Sequence, residues 1–312
     1  MKKLIFKLLT YITLVGLISV LGLAAFFSIV VPQYSYNYNA SMVDKVNKLK
    51  SIEGEKIILL GNSNVAFGFD SELMEKELGM PVVNMGLHGG LGNAFHEKMV
   101  QYNLNAGDIV IVAHNYYSDD GKLGDYALAW ITLENHFELY KCLDTKDIWG
   151  MLCYLPDYIR NSCELYFSNE GNQHSEGVYD RSAFNEYGDI AVERPELIYT
   201  FGPGKIKPPG ISAECAERLN RLNAACGKIG ATLLVSAYPI ANGEFTAPAE
   251  DFKEFQRQLD EALDCEIISD FTDYLIDYQY FYDTMLHLND EGVEIRTRQL
   301  ITDISEWKNK KP

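Results

Sequence analysis

The chain has 312 residues, 47% of them hydrophobic, with 27 basic against 44 acidic side chains and a formal net charge of −17. That balance leaves no basic face for nucleic acid and repels polyanions at long range, so it excludes a nucleic-acid binder and favours a neutral substrate or a locally shielded site. Six cysteines (Cys142, Cys153, Cys163, Cys215, Cys226, Cys265) show neither a CxxC pair nor metal-ligand spacing, and no phosphate-cradling glycine motif is present, so no metal or other cofactor is expected.

Leu8 to Val31 is an uncharged run of 24 residues, long enough to cross a bilayer as a helix. Lys2, Lys3 and Lys7 precede it, which predicts a cytoplasmic N-terminus and an exported remainder. The exported part would carry a charge near −20, which is −17 less the three lysines. A cleaved signal would have an apolar region of about 7–15 residues before a small-residue site. Here further apolar residues follow Ala24-Ala25, so residues 1–33 are expected to be an uncleaved, single-pass anchor in the cell membrane. Pro32 to Asn39 is rich in tyrosines that suit the headgroup level. Residues 34–54 read as a linker, with a short polar helix or a linker over 40–52.

A repeating pattern then begins. Strands are expected at Lys56–Leu60, Pro81–Asn84, Asp108–Ala113, Ala231–Ala237 and Glu266–Ser269. Helices are expected at Ser71–Leu78, capped by Asp70 or Ser71 and stopped by Gly79, and at Asn93–Asn105, Ala213–Ile229, Pro248–Leu263 and Asn289–Trp307. Cys215 and Cys226 fall on one of these helices about three turns apart, too far to bridge. The tail Lys308–Pro312 is expected to fray. Alternating strands and helices mean βαβ units and a parallel sheet covered on both faces. The fold class is therefore α/β, with one domain over 55–312. Residues 118–212 break the pattern and read as an insertion, with helices around 124–142 and 144–166 and a loop at Ser168–Gly188.

Ligands of such a sheet sit beyond the carboxyl ends of its strands. Ser63 follows the first strand, Gly86–Gly92 the second, His114 and Asn115 the third, and Asp283 and His287 the last. All polar candidates fall on one edge. Ser63 lies in Gly61-Asn62-Ser63-Asn64, a tight turn where backbone amides are exposed and a following helix N-terminus favours developing negative charge. A serine nucleophile needs an adjacent base, and that base needs an orienting carboxylate. The order Ser63…Asp283…His287 supplies the three roles.

With these blocks the chain resembles membrane-anchored members of the SGNH (GDSL-like) hydrolase and acyltransferase superfamily. Gly61-Asn62-Ser63 is similar to its nucleophile block, with Asn62 where aspartate is usual. Val82 to Gly90 is similar to its second block, and Asp283 and His287 to its last, with four residues of spacing instead of three. The resemblance covers roughly residues 55–117 and 213–305, and Phe184-Asn185-Glu186-Tyr187-Gly188-Asp189 resembles a recurrent element of the anchored subgroup.

It implies a three-layer α/β/α flavodoxin-like fold. It also implies an oxyanion hole made of the Ser63 and Gly89 amides and the Asn115 side chain, with Ser63, Asp283 and His287 catalytic. Further candidates for substrate binding are Asn62, Asn64, His88 and His114, together with Asn185 and Tyr187, which with Arg181 and Asp189 could form an acceptor wall suited to a sugar. The function implied is acyl transfer, chiefly acetyl, to or from a cell-surface glycan beside a membrane-bound O-acyltransferase, with the domain outside the cytoplasm. A carbohydrate esterase, and an inactive glycan- or partner-binding subunit of such a system, are the alternatives.

Overall fold

The computed structural model describes residues 2–118, 121–134, 136–202 and 204–310. Helix α1 (Lys2–Ala25) continues through a π turn at Phe26–Val30. Together they form an apolar helix of 28 residues from Lys3, long enough to cross a membrane. No residue of it is buried against the rest of the chain.

The next segment holds a helix within 40–52, one of the two expected readings there, but packs into the domain where a linker over 34–54 is expected. A 3₁₀ turn at Tyr38–Ser41 and helix α2 (Met42–Ser51) fold onto the sheet, and Met42, Val46 and Leu49 are core residues. The apolar positions of α2 recur at intervals of three or four, as an amphipathic helix requires, and Lys45 among them is buried with its ammonium on the Asn84 and Gly188 carbonyls.

Strands β1 (Ile57–Leu60), β2 (Val82–Asn84), β3 (Ile109–Val112), β4 (Thr232–Val235) and β6 (Glu266–Ile267) form one parallel sheet in the order β2-β1-β3-β4-β6. A separate two-stranded sheet pairs β5 (Ile240–Asn242) with β7 (Leu275–Asp277). In the large sheet β1 is flanked by β2 and β3, and all four of its residues are buried. Its alternate residues feed two cores. Ile58 and Leu60 pack with Val110, Val112 and helices α2, α5 (Asn93–Val100), α8 (Ala213–Ile229) and α9 (Ala249–Ala262). Ile57 and Leu59 pack with Ile109, Ile111 and helices α4 (Ser71–Leu78) and α10 (Asp290–Lys310). Uninterrupted apolar strands are what burial on both faces demands.

Helix ends follow local chemistry. Asp70 caps α4 by accepting the Leu73 N–H at 2.9 Å, and Gly79 ends it at φ +66°. The helix expected over Asn93–Asn105 stops at Val100 and tightens into a 3₁₀ turn at Gln101–Asn103. The expected frayed tail is also corrected: α10 runs on to Lys310, because Ile304 and Trp307 anchor its last turns in the core and Trp307 donates to Glu266 at 2.8 Å. Residues 311–312 lie outside the described residues. Helix α3 (Ser63–Ala66), a single four-residue turn, follows β1 directly. Within the insertion stand α6 (Tyr126–Thr132) and α7 (Thr145–Ser168), followed by coil and short turns up to α8.

Candidate active site

The strand order changes direction between β1 and β3, and the two loops that leave this point carry Ser63 and Asn115. Asn62 is extended at φ −95°, ψ −150° and caps α3, a single turn that opens on Ser63. The expected following helix, α4, starts eight residues later, at Ser71, so the backbone amides beside Ser63 belong to this short turn. Gly86, at the exit of β2, passes directly beneath it. A Cβ there would stand 2.5 Å from the Ala66 amide nitrogen and 2.9 Å from the Asn62 carbonyl, so a side chain would push the turn off the sheet.

A chain of side-chain hydrogen bonds runs through this turn. Arg296, fully buried on α10, donates through Nη1 to the Asn64 carbonyl at 2.5 Å and through Nη2 to Asn64 Oδ1 at 3.1 Å. Asn64 Nδ2 donates to Asn62 Oδ1 at 2.6 Å and to the Ala113 carbonyl at 3.1 Å. Asn62 Nδ2 donates to Asn115 Oδ1. Since Asn62 Oδ1 already accepts the Asn64 backbone N–H, its amide nitrogen is the end that meets Asn115, and Asn115 must answer with oxygen. Asn115 Nδ2 therefore keeps its donors free of any partner among the described residues. Arg296 has no carboxylate beside it, and burial pulls its guanidinium down to about 9.

Gly89 opens a 3₁₀ turn capped by His88, whose Nδ1 accepts the Gly90 N–H at 2.9 Å. A Cβ on Gly89 would lie 3.6 Å from the Asn62 side chain, which brings this backbone beside the residue that precedes Ser63. As first-turn amides, the N–H groups of Ser63 and Gly89 have no intrahelical acceptor, and neither finds another among the described residues.

The acid and the histidine meet. Asp283 Oδ1 lies 2.7 Å from His287 Nδ1. The four-residue spacing is absorbed by Thr284, whose Oγ1 accepts the N–H groups of Leu286 at 3.2 Å and His287 at 3.0 Å. The Tyr282 N–H donates to the His287 carbonyl at 2.8 Å and closes the loop. Tyr179, from the insertion, donates its hydroxyl to Asp283 Oδ2. Burial opposes ionisation of Asp283, but the bonds from His287 and Tyr179 outweigh it and hold the carboxyl below its usual range.

The His287 ring stacks on Phe67, with centroids 4.0 Å apart and planes 5° from parallel. Phe67 ends α3, and its N–H donates to the Ser63 carbonyl at 2.9 Å. This stack ties the histidine to the turn that bears Ser63. Ser63 is half-buried, and neither its hydroxyl nor His287 Nε2 has a hydrogen-bond partner among the described residues.

The remaining candidates separate into two groups. His88 is exposed, and partial desolvation and then the neighbouring His287 lower its pKa. Asn64 and His114 are fully buried, so they support the site from behind and present nothing to a substrate. His114 Nε2 faces Glu97 Oε1 at 3.1 Å, and Glu97 also accepts from Arg218 at 2.7 Å.

Asn185, Tyr187, Arg181 and Asp189 form a clamp instead of an open wall. Asn185 Oδ1 accepts the N–H groups of Tyr187 and Asp189, each at 3.0 Å. Asp189 accepts from Ser71 and from Asn84 Nδ2 at 2.7 Å, and the Tyr187 carbonyl accepts the Asn84 N–H at 2.8 Å. Arg181 grips Asp44 of α2 with two bonds of 2.7 Å. These bonds pin the insertion to β2, α4 and α2.

Sequence reasoning missed Phe67, Tyr179, Thr284 and Arg296. Two of them left a signal. Phe67 stands one helical turn beyond Ser63, and Arg296 shares an apolar helix stripe with Leu300 and Ile304. Among the described residues no group of three or more His, Cys, Asp or Glu side chains could hold a metal ion. No family model matches the chain, and a search of curated proteins finds no relative.

Proposed function

We propose that the protein is a serine-dependent acyltransferase of the SGNH type, with a flavodoxin-like domain, moving acyl groups, chiefly acetyl, onto a cell-surface glycan. The observation that carries this reading is the Asp283–His287 pair at 2.7 Å, stacked on the last residue of the turn that bears Ser63. Strand order β2-β1-β3-β4-β6 is compatible with it.

In this reading Asp283 holds the proton on His287 Nδ1, which leaves Nε2 as the base. Nε2 takes the hydroxyl proton of Ser63 as Oγ attacks the donor's acyl carbon. The negative charge that gathers on the carbonyl oxygen is met by the Ser63 and Gly89 amides and by Asn115 Nδ2. Collapse of the adduct breaks the bond to the leaving group, which receives the proton from His287. A sugar hydroxyl then gives its proton to Nε2, attacks the acyl-Ser63 ester and regenerates the serine. The domain would work outside the cytoplasm, held by α1, beside a membrane-bound O-acyltransferase that supplies the acyl group.

The test uses the full chain with an activated acetyl ester, and compares wild type with Ser63→Ala by intact mass and by product analysis. The expected result is an acetyl adduct on Ser63, absent from the variant and discharged faster by added oligosaccharide than by water. Discharge by water alone would make the protein an esterase. Absence of any adduct, with glycan acetylation in cells unchanged by Ser63→Ala, would sink the catalytic reading and leave a binding subunit.

A further inference from the structure

Helix α7 is apolar on a side that touches no other part of the protein. Trp149 is 68% exposed, Leu152 49% and Phe167 76%. Trp149 and Phe167 are 18 residues apart, five full turns, so they share one azimuth over about 27 Å of helix. At 100° per residue, Leu152, Cys153, Pro156 and Cys163 lie within about 60° of that line. Arg160, paired with Asp157 at 2.9 Å, is the one charge within about 40° of that line, and exposed Lys146 and Glu164 border the stripe at about 60°. Met151, Tyr158 and Ser162 on the opposite side are buried. The helix is thus anchored to the domain on one side and carries a long aromatic and aliphatic stripe on the other.

Its neighbour in the fold is the end of α1. Glu134, just past α6, accepts the backbone N–H of Gln33 at 3.1 Å and of Tyr34 at 3.2 Å, and also the Tyr158 hydroxyl at 2.5 Å. Tyr34 stacks on Tyr158 at 5.9 Å, and Trp130 stacks on Tyr158 at 5.1 Å. The apolar helix therefore leaves its span directly into a bolted joint with α6 and α7. Beside the joint lies a recess of about 310 Å³ walled by Ala24, Phe27 and Val31 on one side and by Trp130, Leu155 and Tyr158 on the other.

We infer that α7 lies in the plane of the membrane that α1 spans, with its Trp149–Phe167 stripe sunk into the headgroup and upper acyl region and acyl chains filling the recess. The occupant is the bilayer itself. The stripe is continuous with the end of the spanning helix, and an apolar patch of this extent on a soluble surface marks an interaction site. A tryptophan at one end and a lone arginine able to snorkel fit the membrane interface. Scarcity of basic residues on the stripe means that seating depends on apolar burial and needs no anionic lipid. The consequence is a domain held at fixed height and tilt, where a tether at residue 33 alone would let it swing.

The inference rests on α1 spanning the bilayer, and the test separates the two. The full chain is reconstituted at high lipid excess into phosphatidylcholine vesicles whose acyl chains carry bromine at shallow or deep positions, and tryptophan quenching is compared between wild type and Trp149→Phe. The expected result is strong quenching in wild type, greater with shallow than with deep bromines, and loss of that shallow-quenched part in Trp149→Phe. Equal quenching of the two proteins, on vesicles that carry the protein through flotation, would overturn the seat and leave the stripe to a protein partner or a second copy. Protein that fails to float with the vesicles would overturn the spanning helix and the seat with it.

Discussion

Asn62, Ser63 and Asn64 are gripped from inside the protein by an arginine 232 positions away in sequence, whereas Asp283 and His287 are set mostly by bonds that close within the six residues Tyr282–His287. The first half of the site is buried polar machinery. Asn64 and Arg296 have no solvent exposure, and each bond orients the next amide until it reaches Asn115. The second half is a local turn held from outside by the Tyr179 hydroxyl on Asp283, the Phe67 ring on His287 and the N–H groups of Ile198 and Tyr199 on the Tyr282 carbonyl. In the proposed mechanism the nucleophile and oxyanion donors hold one geometry throughout the reaction, and long-range buried bonds supply that rigidity. A base must accept and return a proton, and a local loop permits small adjustment of the ring against Phe67. The division predicts that damage to the first half costs stability and turnover together, while damage to the second half changes mainly the pH dependence.

The largest effect is expected from Arg296→Met. It leaves the Asn64 carbonyl, Asn64 Oδ1 and the Ala237 carbonyl without their buried donor, at about 1–3 kcal/mol for each group left unmet. Urea denaturation should show a loss of about 3 kcal/mol or more. Arg296→Lys should recover little, because an ammonium cannot reproduce the fork. A stability close to wild type for Arg296→Met would refute the idea that the nucleophile turn is held from within.

Next comes a pair that isolates the amide relay. Asn115→Ala removes the proposed oxyanion donor and also the acceptor of the buried Asn62 amide, so turnover should fall by about 2.7–4 kcal/mol of transition-state stabilisation and stability by about 1–3 kcal/mol. Asn62→Ala removes the α3 cap as well as the orienting bond to Asn115. It should cost about 0.5–2 kcal/mol of stability and also lower turnover. The comparison fails if Asn62→Ala leaves turnover intact, since Asn115 would then need no orientation from Asn62.

The sheet was legible in the sequence because its strands are short, apolar and separated by amphipathic helices. Each of the five expected strands overlaps one in the structure, and Ser71–Leu78 and Ala213–Ile229 match to the residue. Asp283 and His287 were legible as a local pair, and their contact follows from the Thr284 turn. The rest depends on contacts that no short window contains. The Asn185–Asp189 segment looked like a sugar-binding wall because tyrosine and asparagine serve in both sugar sites and turns. Its role as a clamp appears only when Asn84 and Ser71 are brought beside it. His114 looked like a site residue because it follows a strand end, yet its ring points into the interior toward Glu97. Arg296 was read as part of a closing helix, since its acceptors on Asn64 and Ala237 lie 232 and 59 positions away in sequence.

The smallest effect, and the sharpest test of the surface half, is Tyr179→Phe. Two side-chain donors hold Asp283 below its usual pKa against the opposing effect of burial, and this change removes one of them. The His287 bond remains, so turnover on the neutral plateau should be nearly unchanged. Removal of a single partly exposed hydrogen bond should cost about 0.5–1.5 kcal/mol of stability. A carboxylate whose folded pKa is depressed contributes stability that is present above its unfolded pKa and lost as pH falls through the folded value. With less depression, that contribution shrinks, and Asp283 takes up its proton at a higher pH. The acid limb of the pH–rate profile and the acid unfolding midpoint should therefore both move upward in Tyr179→Phe, in the same direction and in the acid range only. Movement of the alkaline limb, or collapse of the plateau, would mean that Tyr179 acts on substrate or on the nucleophile turn, and the two halves of the site would not be separately held.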